Sequence, residues 1–199
     1  MQKQRLFAAG LSLAVAATLV ARFGMTMQES QLSATGAVWN DFRYFTIWTN
    51  GLICLVSGVI ALGGSPAPWM SAGLAMAIAL VAVVFHALLA GDEPRLGLDW
   101  VVNGMLHTVI PIAFIGLWLL ALPKGRLAWR DLLIWSAFPI LYSIYAIARG
   151  AIDGVYPYFF LDVGKLGAGG VALWVAGLAL LFLTAGAGLI ACARRFARA

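Results

Sequence analysis

Charge is what this chain has least of. Asp, Glu, Lys and Arg make up 11% of its 199 residues, against roughly 25% in an ordinary soluble domain, so a water-exposed globular surface is excluded. Cysteine is nearly absent too. Cys54 and Cys192 lie near opposite ends of the cytoplasmic half of the layout derived below and suggest neither a disulfide nor a metal site. No three or four potential ligands lie close together, so no metal and no cofactor is expected. There is no convincing repeat between the two halves of the chain, the usual mark of many transporters, and no stretch long enough for a separate soluble domain.

What is present is hydrocarbon. Hydrophobic residues reach 63% and the mean hydropathy is +0.94, the composition of an integral membrane protein. At about 20 residues per crossing, the chain has room for six spans, read at residues 6–21, 42–62, 70–90, 100–122, 132–148 and 168–191. The expected fold is all-α, a six-transmembrane-helix bundle formed by residues 1–199 as a single domain. The first span follows Lys3 and Arg5 like a signal peptide, yet it runs into Arg22 and Gly24 without a clear cleavage site and is read as a helix.

Basic residues orient the bundle. One side carries Lys3, Arg5, Lys124, Arg126, Arg130, Arg194, Arg195 and Arg198 against Asp131 alone; the other carries Arg22, Arg43, Arg95, Arg149 and Lys165 against Glu29, Asp41, Asp92, Glu93, Asp99, Asp153 and Asp162. Both termini are therefore expected to be cytoplasmic. The net charge of +5 follows from this layout, and the scatter of the basic residues gives no reason to expect a nucleic-acid partner. The Ala-, Gly- and Arg-rich composition points to a bacterial inner membrane. Oligomeric state stays open, because Gly170, Gly177 and Gly188 suit packing within or between subunits equally.

On this topology the polar groups of the second to fifth spans gather toward the outer side: Thr46, Thr49 and Asn50 in the second, His86 in the third, Asn103, His107 and Thr108 in the fourth, Tyr142 and Tyr145 in the fifth. The inner halves hold little but Ser57, Ser71 and Ser136. Helical spacing groups Arg43, Thr46 and Asn50 on one stripe, Asn103 and His107 on a second, and Tyr142, Tyr145 and Arg149 on a third. The three would line one largely apolar cavity suited to a lipid-like ligand. Each residue also has a structural reading. Thr bonds readily to its own helix backbone, and the tyrosines, like Trp39, Trp69, Trp100, Trp129 and Trp135, suit an interfacial belt. His86 and His107, the only two histidines, are harder to dismiss, since ionisable side chains inside a membrane tend to be functional.

The outer loop at residues 149–167 is too aromatic for a solvated connector. Its Tyr-Pro-Tyr-Phe-Phe run, bracketed by Asp153 and Asp162, would lie at headgroup level, either as a lid over the cavity, with Tyr156, Tyr158 and Asp162 as its polar groups, or as a re-entrant anchor.

Three segments carry a resemblance: Asp41-Phe-Arg-Tyr-Phe-Thr-Ile-Trp-Thr-Asn50, Asn103-Gly-Met-Leu-His-Thr-Val-Ile-Pro111 and Gly154-Val-Tyr-Pro-Tyr-Phe-Phe-Leu-Asp162. In order, spacing and six-span layout they resemble the androgen-induced protein family of integral-membrane threonine hydrolases and its bacterial relatives. The resemblance implies a hydrolase of fatty-acid esters of hydroxy fatty acids or similar lipid esters, with Thr46 as nucleophile and His107 as base. In one respect the chain departs from the pattern. Aligned without a gap on Pro111, the animal proteins place their His one residue earlier, a rotation of about 100° on an α-helix.

The chemistry agrees with those residue types, because a Thr hydroxyl needs a neighbouring base. No Asp or Glu lies inside any expected span, so His107 would be oriented by Asn103, a Tyr hydroxyl or a backbone carbonyl. Asn50 or Asn103 is expected to serve the oxyanion, a role worth about 3 kcal/mol elsewhere, with Arg43, His86, Tyr142 and Tyr145 completing a substrate-binding wall. Two other classes stay open. His86 and His107 could be axial ligands of one haem in a redox protein, or the cavity could hold or pass a lipid without turning it over.

Overall fold

The computed structural model describes residues 2–91, 96–125 and 127–196. Asp92, Glu93, Arg95, Arg126 and Arg198, counted above for topology, lie outside the described residues. Among the described residues there is no strand. Eight α-helices follow one another: α1 (Gln2–Glu29), α2 (Ala34–Asp41), α3 (Phe45–Ala61), α4 (Pro68–Val84), α5 (Gly97–Gly104), α6 (Ile110–Ala121), α7 (Trp129–Asp153) and α8 (Val163–Phe196). A π-turn, Phe85–Leu89, prolongs α4, and another, Met105–Val109, joins α5 to α6. Among the described residues, five helical stretches are long and apolar enough to cross a membrane: Gln2–Glu29, Pro68–Leu89, Gly97–Ala121, Trp129–Asp153 and Val163–Arg194. The shortest has 22 residues, about 33 Å of helix against a hydrocarbon core of about 30 Å.

The second expected span is the exception. A helix runs from Phe45 rather than Phe42 and is only 17 residues long. It meets α2 at a bend of 100°, and the count reaches six only if this bent pair is taken as one span. Local chemistry accounts for the bend. Ser33 caps α2 by accepting the Gly36 N–H at 3.2 Å. At its other end Asp41 is wholly buried, accepting the Thr26 hydroxyl at 2.9 and 3.0 Å on its two oxygens and facing Arg22 Nε at 3.6 Å. Arg22 and Thr26, four residues apart, share one face of α1. This pairing explains why α1 runs on to Glu29 past its expected end at residue 21: Arg22 is held against a buried carboxylate and is no solvated helix end.

The chain divides into two compact units. The first comprises residues 1–42 and 46–125. Its core includes Val15, Ile53, Ile78, Ile110 and Phe114, each fully buried or nearly so, and Met25, Val102 and Leu106 pack together with Leu19 and Ala21 against them. Ser12 donates to the Cys54 carbonyl at 2.9 Å, tying α1 to α3.

The second unit comprises residues 43–45 and 126–199. Asp131 accepts the Ala128 N–H at 2.8 Å and so starts α7. Gly154, with φ of 74°, ends it in the left-handed conformation. A 3₁₀ turn, Phe159–Leu161, leads into α8. Gly167, with φ of 66° and ψ of 167°, interrupts α8, so its apolar stretch resumes at residue 168, where the sixth span was expected to begin.

Candidate active site

Thr46 is the second residue of α3, just beyond the bend. Its Oγ1 lies 3.3 Å from His107 Nε2, and both residues are only 9% exposed. His107 belongs to the π-turn Met105–Val109. Its Nδ1 lies 3.0 Å from the Asn103 carbonyl oxygen, which can only accept, so Nδ1 carries the proton and Nε2 presents a lone pair to the Thr46 hydroxyl. The orienting group is thus a backbone carbonyl, one of the three sources open on sequence grounds.

A further layer stands behind that carbonyl. Asn103 Nδ2 donates to Asp99 Oδ1 at 2.6 Å and to the Asp99 carbonyl at 3.0 Å. Asp99, Asn103 and His107 recur every four residues, one stripe running from α5 into the π-turn. By sequence Asp99 counts only as a loop charge, although its spacing of four from Asn103 is visible there. Phe85, from the other π-turn, stacks on the His107 ring with centroids 3.7 Å apart and planes 10° from parallel, covering one face of the imidazole with carbon.

Asn50 is fully buried one turn after Thr46. Its Nδ2 donates to the Thr46 carbonyl at 2.9 Å and, by a longer bond of 3.4 Å, to the Leu106 carbonyl. Both amide protons are thereby engaged. His86 is exposed and pairs with Thr108, Nε2 to Oγ1 at 3.0 Å. A haem shared by the two histidines would have to draw each Nε2 away from a threonine.

The expected stripe of Arg43, Thr46 and Asn50 begins at Thr46, because Arg43 lies in the turn before α3 and helical counting does not carry across the bend. Arg43 belongs to the second unit, where its guanidinium donates to the Val155 carbonyl at 3.0 Å and to Asp153 at 3.3 Å. Arg149 reaches the same Asp153 oxygen at 3.4 Å and the Tyr145 hydroxyl at 2.9 Å. Tyr142 donates its hydroxyl to the Arg43 carbonyl, and the Tyr158 hydroxyl accepts the Phe45 N–H at 3.1 Å. Two tyrosines thus grip the three residues that lead directly into Thr46.

The aromatic loop is fastened at several points within this second unit. Tyr158 stacks on Phe160 at 5.0 Å, Phe160 and Leu161 are 4% and 1% exposed, and Trp174 packs against both Phe159 and Phe160. Tyr156 packs against Gly150, where a Cβ would run into its ring. Asp162 opens α8, accepting the Lys165 N–H on its side chain at 3.1 Å.

No family model, curated protein or solved structure matches this chain.

Proposed function

We propose that the chain is an intramembrane lipid ester hydrolase with Thr46 as nucleophile and His107 as general base. The single observation that carries this reading is the buried hydroxyl–imidazole pair whose tautomer is set by the Asn103 carbonyl. The 3.3 Å separation is long for a hydrogen bond, as is common for catalytic pairs without substrate.

In the first step Thr46 Oγ attacks the acyl carbonyl carbon while its proton passes to His107 Nε2. The resulting imidazolium keeps its Nδ1–H on the Asn103 carbonyl. Collapse of the tetrahedral intermediate breaks the ester C–O bond, and the departing alkoxide takes the proton from Nε2. Water then attacks the threonyl ester with the same base and returns free Thr46 and a fatty acid. General-base assistance of this kind contributes 10²–10⁴-fold, on the order of 3–5 kcal/mol. The developing oxyanion would lie at the N-terminus of α3, where the first-turn amides after Phe45, whose own N–H is held by Tyr158, have no acceptor within the helix and the dipole favours negative charge.

The substrate class comes from the resemblance: fatty-acid esters of hydroxy fatty acids, or lipid esters of similar shape. Five apolar helices and a site walled by Phe85 suit such a substrate. The setting is a bacterial inner membrane, with six crossings, cytoplasmic termini and the site toward the outer leaflet. The family's one-residue difference in His position is eased by the π-turn, because each turn there holds an extra residue and an ungapped comparison need not preserve the side-chain direction.

The test is labelling of the purified protein by an alkyl fluorophosphonate, with the modified residue mapped by mass spectrometry. Modification at Thr46 that disappears in Thr46→Ala and in His107→Ala is the expected result. An unmodified wild type that retains a bound lipid ester would instead assign a lipid-binding or transport role.

A further inference from the structure

The carbonyl of Leu106, the residue before His107, has lost its usual backbone donors. In an α-helix the N–H of residue 110 would reach it, but Ile110 donates to the Met105 carbonyl. In a π-turn the next donor would be residue 111, and that is Pro111, which has no N–H. A buried carbonyl left without a donor is costly, and the side chain that meets this one is Asn50. The orientation of its carboxamide is dictated by its surroundings. Both neighbouring atoms are carbonyl oxygens, those of Thr46 and Leu106, so the NH₂ must face them, while Oδ1 is buried without a partner. A flipped amide would set oxygen against oxygen twice.

We infer that Asn50 is a positioning residue: one NH₂ group ties the backbone of the nucleophile's residue to the backbone beside the base, and so holds Thr46 Oγ1 within reach of His107 Nε2. Both ends of the active pair are thereby referred to one rigid amide. Pro111 creates the vacancy that Asn50 fills. The kinetic side of this inference rests on the hydrolase reading; the structural side does not.

The experiment compares wild type, Asn50→Leu, Pro111→Ala and the double variant, each folded by circular dichroism and size exclusion in detergent. Two signals are read: the second-order rate of fluorophosphonate labelling at Thr46, and the imidazole ¹⁵N resonances of ¹⁵N-histidine protein, assigned with His86→Gln. Asn50→Leu is expected to slow labelling at least tenfold and to shift the His107 resonances while leaving those of His86 in place. Pro111→Ala restores an N–H for the Leu106 carbonyl, so the double variant should regain most of the lost rate, which a mere packing role for Asn50 would not produce.

Labelling by Asn50→Leu within twofold of wild type, or a double variant as slow as Asn50→Leu, overturns the inference. If the wild type is not labelled at all, the hydrolase reading fails, and the resonances alone decide. A His107 shift confined to Asn50→Leu and relieved in the double variant supports the tie, and unmoved resonances refute it. Should Asn50→Leu not fold, Asn50→Asp, of the same shape but without the NH₂ group, takes its place in both measurements.

Discussion

Asn103 donates its side-chain amide to Asp99 at 2.6 Å while its backbone carbonyl accepts Nδ1–H of His107 at 3.0 Å. One residue therefore couples a carboxylate to a buried imidazole without placing the acid against the ring. On the proposed mechanism this arrangement keeps the orienting role of an acidic third member and avoids burying an unscreened charge beside the base, which would be expensive in an apolar site. Asp99→Ala should lower the rate of Thr46 labelling three- to tenfold, because the tautomer is still set by the carbonyl and only its anchoring is loosened. A loss as large as that of His107→Ala would show that Asp99 acts on the ring more directly than this geometry allows.

Replacing the reacting groups themselves should have steeper consequences. Thr46→Ala removes the proposed nucleophile and should abolish labelling, whereas Thr46→Ser keeps the hydroxyl and should retain labelling within about tenfold of wild type, since the loss of one methyl changes packing rather than chemistry. His107→Ala should cost at least 100-fold, the lower end of general-base assistance. Equal labelling of Thr46→Ala and wild type would remove Thr46 from the mechanism.

Helical counting put Thr46 and His107 at similar depths on different stripes, and the family resemblance singled the two out as a pair. The long apolar stretches were legible from hydropathy alone, with α1 and α7 differing from expectation at their ends. What counting missed are the places where the backbone leaves the α-helix. The 100° bend before Phe45 detaches Arg43 from the Thr46 stripe, and the two π-turns change the direction of His86 and His107 within otherwise ordinary apolar sequence. Asp41 and Arg22 counted by sequence only as charges on the outer side, since each stands at the edge of an apolar run; only the fold brings them together. Asn50 was visible as polar and buried, but its second acceptor depends on a carbonyl that Pro111 and the π-turn free jointly.

The bend itself should be sensitive to a single hydroxyl. The single O–H of Thr26 lies within bonding distance of both oxygens of a carboxylate that is 0% exposed, and Thr26→Val replaces that hydroxyl by a methyl of nearly the same volume. The expected cost is about 1–3 kcal/mol, the penalty of an underbonded buried acceptor, seen as a lower unfolding midpoint in detergent. Asp41→Asn in the same background should recover part of the loss, because a neutral amide needs less compensation than a carboxylate. An unchanged midpoint in Thr26→Val would mean that Arg22 and the Asn40 side-chain amide satisfy Asp41 without the hydroxyl.

The contact between Gly150 and Tyr156 tests whether the aromatic loop is held as an anchor. A methyl at position 150 would come within 2.3 Å of the Tyr156 ring, closer than any real contact, and the ring belongs to the loop that continues into the buried Phe160 and Leu161. Gly150→Ala should therefore displace Tyr156, at a cost of about 1–3 kcal/mol typical of overpacking, and should expose the segment after Gly154 to limited proteolysis. Trimming the obstructing ring should undo the damage: the double variant Gly150→Ala with Tyr156→Ala is expected to resist protease as well as Tyr156→Ala alone. If Gly150→Ala is cleaved no faster than wild type, the loop yields at little cost, and this contact does not hold it in place.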